Sequence, residues 1–565
     1  MSETLPERDV VVIGLGAAGG LAATLLADAG LEVVGIEAGP RHRRQEYVPD
    51  EIEHESRNVL GAAKANHEIP TVRRTSTEEA RPAKGTRGLV MMNGLDGSKV
   101  HSTNISWRLL PWNFKSRSYT VERYGAGAIP RDSSLVDWPL TYEDLAPYYQ
   151  SVEERYGVSG KAGNIRGHID NGGNPFEGPR SGEYPLPPLR RTGYLDVMSD
   201  AARSLGWHPF PTPASIRSEE YNGLAACEYC GFCSWNGCWA DAKGLPSLHG
   251  LLEAEAHGTM TTLCDARATE ILVDREGRAS GVAFIRNGRA FVQPARVVVL
   301  ATYTYENVRL LLLSKSPGFP RGLGNNNGQV GRHFMTHSFP MSFGVFPGRT
   351  LNRWGGAGAQ ATGIDNFDGD NFDHTGAGFI GGAMLMAPAE NKTIVNAIWS
   401  APSVPRWGSE WKRWFATHAG SIGWVWTIPD ALPYEHNFLD LDPVVRDPDG
   451  VPVVRCTYDF AENERLQCAF LLARAAEWLA EAGASECWHV PAEPAPVSTH
   501  AYGGTRMGDD AACSVVDSWG LAHEVPNLVI LGASCFPTAG GVNPTETVEA
   551  LVIRTTAHLV QEKLR

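Results

Sequence analysis

The apolar run Val10-Val-Val-Ile13 feeds directly into Gly14-Leu-Gly16-Ala-Ala-Gly19, and no other stretch limits the fold as tightly. A helical pattern follows from Leu21 to Ala29. Gly30 stands at the C-cap position, and a second strand pattern, Glu32–Ile36, ends in Glu37. Strand, glycine loop, helix, strand and acid in this order are what a dinucleotide fold requires. Gly14 permits the tight turn, Gly16 lets backbone approach a pyrophosphate, and Gly19 lets helix and strand pack closely. The free N–H groups of the helix N-terminus then face the phosphates. Glu37 arrives where a carboxylate binds a ribose hydroxyl, which favours FAD or NAD over a 2′-phosphorylated nucleotide. The glycines alone are a weak signal; their setting makes them a strong one.

A chain of 565 residues is too long for one simple core and points to two closely linked domains. Its net charge of −14, with no long basic run, argues against nucleic acid as a partner. No apolar run approaches the roughly 18 residues of a membrane span. The polar start, Met1–Arg8, leads straight into the first strand, so no secretory signal is expected. The expectation is a cytoplasmic protein, exported only if a partner subunit carries it.

Residues 41–88 read as a charged, solvated excursion, and Gly88–Arg108 as a stretch whose glycines would let backbone approach a flat ligand. Thr141-Tyr-Glu-Asp144 has the form of a capped helix start, with Leu145, Tyr148, Tyr149, Val152 and Tyr156 forming a core stripe. Residues 157–190 read as a long surface loop or lid, and 193–205 as a helix. Arg267–Ile285 reads as strand, turn, strand; Val297–Ala301 as a buried strand; and Val308–Leu313 as a helix. Between about 341 and 430 the composition shifts toward Gly, Trp, Phe and Asn, which marks a second domain. Asp365–Asp373 lacks the EF-hand offsets and reads as a turn. A hairpin around Asp447–Gly450 and an amphipathic helix over 462–482 follow.

Six of the ten cysteines are scattered and read as reduced and mostly buried. The other four, Cys227, Cys230, Cys233 and Cys238, crowd into C-x2-C-x2-C-x4-C. Four soft thiolates in short glycine-bearing loops suit an iron–sulfur cluster; free cysteines, zinc or a disulfide are the alternatives.

Near the C-terminus, Thr499-His500-Ala-Tyr-Gly503-Gly504 is followed by Leu531-Gly532-Ala533-Ser534, then Gly541-Val-Asn543-Pro544-Thr545-Glu-Thr547. A helix through Val548–Val560 follows, which puts Asn543 at or beside its N-cap and Pro544 in its first turn. As structural residues, His500 would only brace a turn and Asn543 only cap a helix. Together, beside a nucleotide fold, they are candidates for chemistry.

Across nearly its whole length the sequence resembles the glucose–methanol–choline (GMC) flavin oxidoreductases. The resemblance rests on the Gly14/Gly16/Gly19/Glu37-Ala-Gly39 block, on Asn93-Gly94-Leu-Asp-Gly97-Ser98, on Leu300–Leu312 and on Asn543-Pro-Thr-Glu-Thr. The cysteine run resembles the flavoproteins of gluconate- and glucoside-type dehydrogenases, and bacterial pyranose and glycoside oxidases are related. This implies an α/β fold with a Rossmann-like FAD-binding domain, 1–340 and 495–565, and an inserted α+β substrate-binding domain, 341–494. It implies FAD contacts at Asn93, Gly94, Gly97, Ser98, Ala268, Gly532, Ala533, Asn543, Pro544 and Thr545. His101 matches the position of a covalent flavin link in some pyranose oxidases, although most relatives bind FAD non-covalently. Asp96, Tyr303 and Tyr305 depart from the small residues usual at their positions.

By the same resemblance, His500 takes the proton of a sugar or glycoside hydroxyl, Asn543 holds the same oxygen, and FAD accepts the hydride. Electrons then pass through a 3Fe–4S or 4Fe–4S cluster to a cytochrome, quinone or partner subunit. If the cysteines are empty, the enzyme is instead an oxidase that gives hydrogen peroxide. Trp354, Trp399, Trp407, Trp411, Trp414, Trp424 and Trp426 are, as a group, candidates to grip the sugar. An NAD-dependent dehydrogenase would have no need of His500 and Asn543, and a non-catalytic electron-transfer flavoprotein would leave that pair unexplained.

Overall fold

The parallel order that the opening motif demands is present in an eight-stranded sheet. In this computed structural model, which describes residues 2–53, 57, 60, 67–83, 91–351, 355–492 and 498–562, Arg8–Ile13 lies between Val33–Ile36 and the long strand Arg289–Leu300. Met260–Leu263 extends the parallel set on one side, and Leu528–Ile530 pairs with residues 298–300 on the other. The long strand serves two ladders. Its first half pairs antiparallel with Ala279–Arg286, and that strand pairs with Ala266–Val273. Val10, Val11 and Val12 are wholly buried, as expected of a strand covered on both faces.

The helix after the glycine loop covers Ala17–Asp28, starting four residues earlier than its apolar pattern predicts, because Gly16 itself is the N-cap. Gly14 has φ +85°, and a Cβ at Gly19 would fall 1.8 Å from the Gly14 carbonyl oxygen. Neither position accepts a side chain. The closing helix, Thr545–Glu562, packs against both Ala17–Asp28 and Tyr142–Tyr156. Thr141 and Asp144 form the expected capping box, and Leu145, Tyr149, Val152 and Tyr156 are buried, with Tyr148 at the edge of the stripe.

The region of irregular composition forms a second, six-stranded sheet. Its order is Glu486–Val490, Met341–Val345, Ile422–Thr427, Leu385–Pro388, Ala361–Ile364 and Phe210–Pro211. Helices Glu462–Glu481 and Gly193–Ser204 supply Leu471, Trp478, Leu195 and Met198 to the core on one side, against Val425, Leu385 and Ile364. In Ile422–Thr427, Trp424 and Trp426 alternate with Val425 and so fall on the opposite face. The hairpin Phe438–Arg446 with Pro452–Thr457 joins Thr71–Arg73 and Arg81–Pro82 in a sheet of its own.

Two expectations need correction. Residues 157–190 are not a free surface loop: Glu177 and Arg180 are buried, and Arg180 pairs with Glu153, which also takes a bidentate contact from Arg108. Of the scattered cysteines, Cys456, Cys468 and Cys535 are buried, but Cys487 and Cys513 are exposed. Trp354 and Gly88–Val90 lie outside the described residues. Among those described, no helix is long and apolar enough to cross a membrane.

Candidate active site

One cavity of about 1080 Å³ runs from the glycine loop to the C-terminal His and Asn. At one end are Gly14, Gly16 and Glu37; the middle is lined by Asn93, Gly94, Gly97, Ser98, His101, Ala268, Gly532 and Ala533; the far end holds His500, Asn543, Pro544 and Thr545. The wall opposite is formed by the second sheet, with Met386, Asn391, Trp399, Trp424 and Trp426.

The nucleotide end is built from two glycine loops in contact. A Cβ at Gly97 would meet the Gly16 Cα at 3.0 Å, and one at Gly39 would meet the Asn93 backbone at 2.2 Å. The Glu37 carboxylate ties the loops together by accepting the N–H groups of Leu15 (2.9 Å), Gly39 (2.9 Å) and Gly94 (3.0 Å). A carboxylate has about four acceptor sites, so one is left for a ribose hydroxyl. Burial outweighs these three donors and pushes the Glu37 pKa up to about 7.

The departures at Asp96 and Tyr303 have local explanations. Asp96 has φ +67°, a left-handed conformation that suits Gly, Asn or Asp, and its side chain turns away to accept the Ser247 N–H (2.8 Å) and hydroxyl (2.5 Å). Tyr303 holds φ +82° at the start of helix Thr304–Leu313, and its hydroxyl reaches the Ser498 carbonyl (3.3 Å). Lys99, beside the flavin-type loop, forms a buried ion pair with Glu549 of the closing helix and lies 3.7 Å from the Tyr156 ring centre. His101 stacks against Trp235, and its carbonyl accepts the Trp235 N–H (2.8 Å).

At the far end, Asn543 Nδ2 lies 3.3 Å from His500 Nε2. The other ring nitrogen of His500 lies 3.2 Å from His337 Nδ1, a residue the sequence reading passed over. The short antiparallel pair Met335–Thr336 and Ala501–Tyr502 brings the two histidines together. His337 Nε2 is 2.7 Å from the Gly540 carbonyl, three residues before Asn543. His500 is partly buried and faces the cavity, and burial pushes its pKa down to about 3. The imidazole is therefore neutral at ordinary pH, the state a general base requires. Phe339 packs edge-on to His500 and stacks on Trp426, so the aromatic wall adjoins the base.

The four clustered cysteines behave differently. Among the described residues, no group of three or more His, Cys, Asp or Glu is placed to hold a metal ion, so the expected convergence of Cys227, Cys230, Cys233 and Cys238 on one centre is not found. The segment is organised around a cation of its own. Lys243, fully buried, donates to the carbonyls of Cys233 (2.9 Å) and Asn236 (3.0 Å), and to those of Val100 (2.8 Å) and Ser102 (2.7 Å) on either side of His101. Glu390 accepts the Cys233 N–H (3.0 Å) and the Ser234 hydroxyl (2.7 Å). The Sγ atoms of Cys227 and Cys238 accept backbone N–H groups at 3.3 Å. Burial pushes the Cys227 thiol up to about 11 and raises that of Cys233 further, so both are held as thiols rather than thiolates.

Comparison with known proteins gives a consistent result. Family models described as GMC oxidoreductase match residues 187–339 and 433–551. The chain is 30% identical to the gluconate 2-dehydrogenase flavoprotein of Pantoea cypripedii, over 98% of this chain and 93% of that one. It is 30% identical to paromamine 6′-oxidase of Streptomyces fradiae, over 97% and 90% of the two chains. The solved structure of pyridoxine 4-oxidase from Mesorbium loti shares the fold over 98% of this chain and 100% of that one, with a TM-score of 0.64 at 14% identity.

Proposed function

The chain belongs to the GMC oxidoreductases, FAD enzymes that oxidise CH–OH groups, and from that premise we propose that it oxidises a hydroxyl of a sugar or glycoside to the carbonyl. The observation that carries this reading is the His500 Nε2–Asn543 Nδ2 pair, 3.3 Å apart at the end of a cavity that starts at the dinucleotide loop. The first sheet holds the cofactor and the second presents the substrate wall. Residues at Gly14–Gly19, Glu37, Asn93–Ser98 and Gly532–Ala533 fit the nucleotide and the flat ring, and FAD when bound supplies hydride acceptance.

In this reading His500 Nε2 takes the hydroxyl proton, and Asn543 Nδ2 donates to the same oxygen as it gains alkoxide character. The loops around Glu37 and Lys99 hold the cofactor still, and Phe339, Trp426, Trp424 and Trp399 exclude water while offering flat faces to a sugar ring. Of the other tryptophans considered for this role, Trp411 and Trp414 pack behind Trp399 and Trp424 in the Phe343 and Trp488 cluster without lining the cavity, and Trp407 is exposed.

Because the cysteines do not form a ligand group, no electron step is derived through them. The acceptor, whether oxygen, a quinone, a cytochrome or a partner subunit, is read by assaying peroxide against dye reduction, with iron and sulfide measured on the same sample. The reading of the base is tested by His500→Ala. That variant keeps bound FAD and loses about 100- to 10,000-fold in the rate of anaerobic flavin reduction by substrate. Reduction at the parent rate ends the assignment.

A further inference from the structure

We propose that His337 is a positioning residue that fixes the tautomer of His500, making Nε2 the atom that accepts the substrate proton, and that the same ring holds the loop carrying Asn543. The inference rests on the reading of His500 as the base and goes beyond it by naming the atom and the group that selects it.

His337 Nε2 lies 2.7 Å from the Gly540 carbonyl oxygen, which can only accept, so Nε2 carries a hydrogen. The ring is 1% exposed, and burial together with the neighbouring His500 holds it neutral, with its pKa well below the usual histidine value. A neutral ring protonated at Nε2 has a bare Nδ1. That Nδ1 faces His500 Nδ1 at 3.2 Å and the Tyr502 hydroxyl at 3.2 Å. If His500 carried its proton on Nε2, two bare nitrogens would face each other at hydrogen-bond distance. The Tyr502 O–H can also fill the His337 lone pair, but the clash between the two bare nitrogens is removed only when His500 Nδ1–H donates to His337. His500 Nε2 is then bare, turned toward Asn543 Nδ2, which is an N–H donor and cannot compete for the proton.

Backbone pairing makes this geometry stiff. Met335 pairs with Tyr502 and Thr336 with Ala501, and the His337 N–H donates to the His500 carbonyl (3.2 Å). Through its other nitrogen His337 grips the chain at Gly540, three residues from Asn543, so one imidazole sets the position of both groups that meet the substrate oxygen. The titratable groups around it are His500 and Tyr502, with Tyr303 and Asp430, in the irregular segment after strand Ile422–Thr427, acting on Tyr502. The logic parallels that of a serine-protease triad, where the residue behind the histidine orients it and selects its tautomer. Here a neutral imidazole fills that place and adds no charge.

The test compares three variants of the FAD-loaded enzyme by anaerobic stopped-flow reduction with one glycoside. His337→Phe keeps a flat ring and removes both contacts; it is expected to bind FAD, keep KM within about threefold, and reduce flavin about 100-fold more slowly. His337→Asn places an amide oxygen near the old Nδ1 and is expected to recover at least about tenfold of that loss, because it again accepts the His500 Nδ1–H. Parent-rate reduction by His337→Phe overturns the proposal, as does a His337→Asn enzyme as slow as His337→Phe. Should His337→Phe fail to load FAD, His337→Asn decides alone: a loss beyond about 30-fold with full FAD overturns the proposal. His500→Ala run in parallel separates the two ideas, since a fast His500→Ala enzyme removes the base itself, whereas a slow one beside a fast His337→Phe enzyme removes only the positioning role.

Discussion

The two most distinctive clusters in this chain behave in opposite ways. Four cysteines lie within twelve residues, yet among the described residues they form no metal-binding group. His337, His500 and Asn543 are separated by 163 and 43 residues, yet their side chains meet within 3.3 Å. The difference lies in what holds each cluster. The histidines and the asparagine are fixed by a β pairing and by a loop gripped from behind. The cysteine turn is fixed by backbone carbonyls gathered around the Lys243 ammonium and by Glu390 at its N–H groups, which leaves the thiols to fill space or accept N–H groups. Proximity in sequence supplies candidates; the elements behind them decide whether side chains converge.

Asn543→Ala removes one donor aimed at the developing alkoxide and is expected to slow substrate-driven flavin reduction by about 100-fold, with FAD still bound. A change confined to KM would reduce Asn543 to a binding contact. On the cysteine side the sensitive residue is Lys243, not a thiol. Lys243→Met removes the ammonium that four carbonyls share, of which Cys233 keeps the Asn236 N–H and Ser102 keeps the Asn104 amide, and is expected to cost about 3 kcal/mol of stability. Thermal unfolding of the FAD-loaded protein checks this, and an unchanged midpoint removes the idea of a lysine-centred turn. By contrast, Cys227→Ser and Cys238→Ser should each stay within about 1 kcal/mol and twofold in flavin reduction, since each thiol offers only a weak acceptor to one N–H. A large loss of colour or of iron in either variant would restore the cluster reading.

The cofactor end was legible in the sequence because its requirements are local. Gly14 and Gly19 answer backbone demands within one βαβ unit, a tight turn and a close approach, and Gly16 and Glu37 line the cavity beside them. His500 and Asn543 were legible only as a pair with a family behind them. His337 carried no signal: it sits in an irregular stretch, and its role depends on a strand pairing across more than 160 residues, which periodicity does not report. The buried charges were equally silent. Lys99 and Glu549, or Arg108, Glu153 and Arg180, carry no mark of burial in the sequence, and only the fold removes them from water. The cysteine run misled because spacing describes which thiols can reach one point, not whether a neighbouring lysine has already organised the backbone there.

The smallest expected effect is an absence of change with pH, and it bears on the tightness of the catalytic side. Burial pushes the His500 pKa down to about 3, so the ring is neutral, and competent as a base, at every pH above about 4. Protonation on acidification would remove the base, so the rate of flavin reduction should fall only as pH drops toward 3 and stay level from 5 to 8. A histidine open to water would instead show an acid limb near its ordinary pKa of about 6.5. The same shift has a sign for stability. A native pKa below the unfolded value means that the unfolded chain binds the extra proton first, so the contribution of His500 is complete above about pH 6.5 and is lost progressively as pH falls from there toward 3. His249 and His333, each pushed down to about 3 by burial, add in the same direction. Replacing His337 by Phe tests whether enclosure or pairing sets the base. If enclosure alone lowers the pKa, the variant is slow but keeps the level profile; if its acid limb moves up toward 6.5, the neighbouring imidazole was also keeping water away from His500.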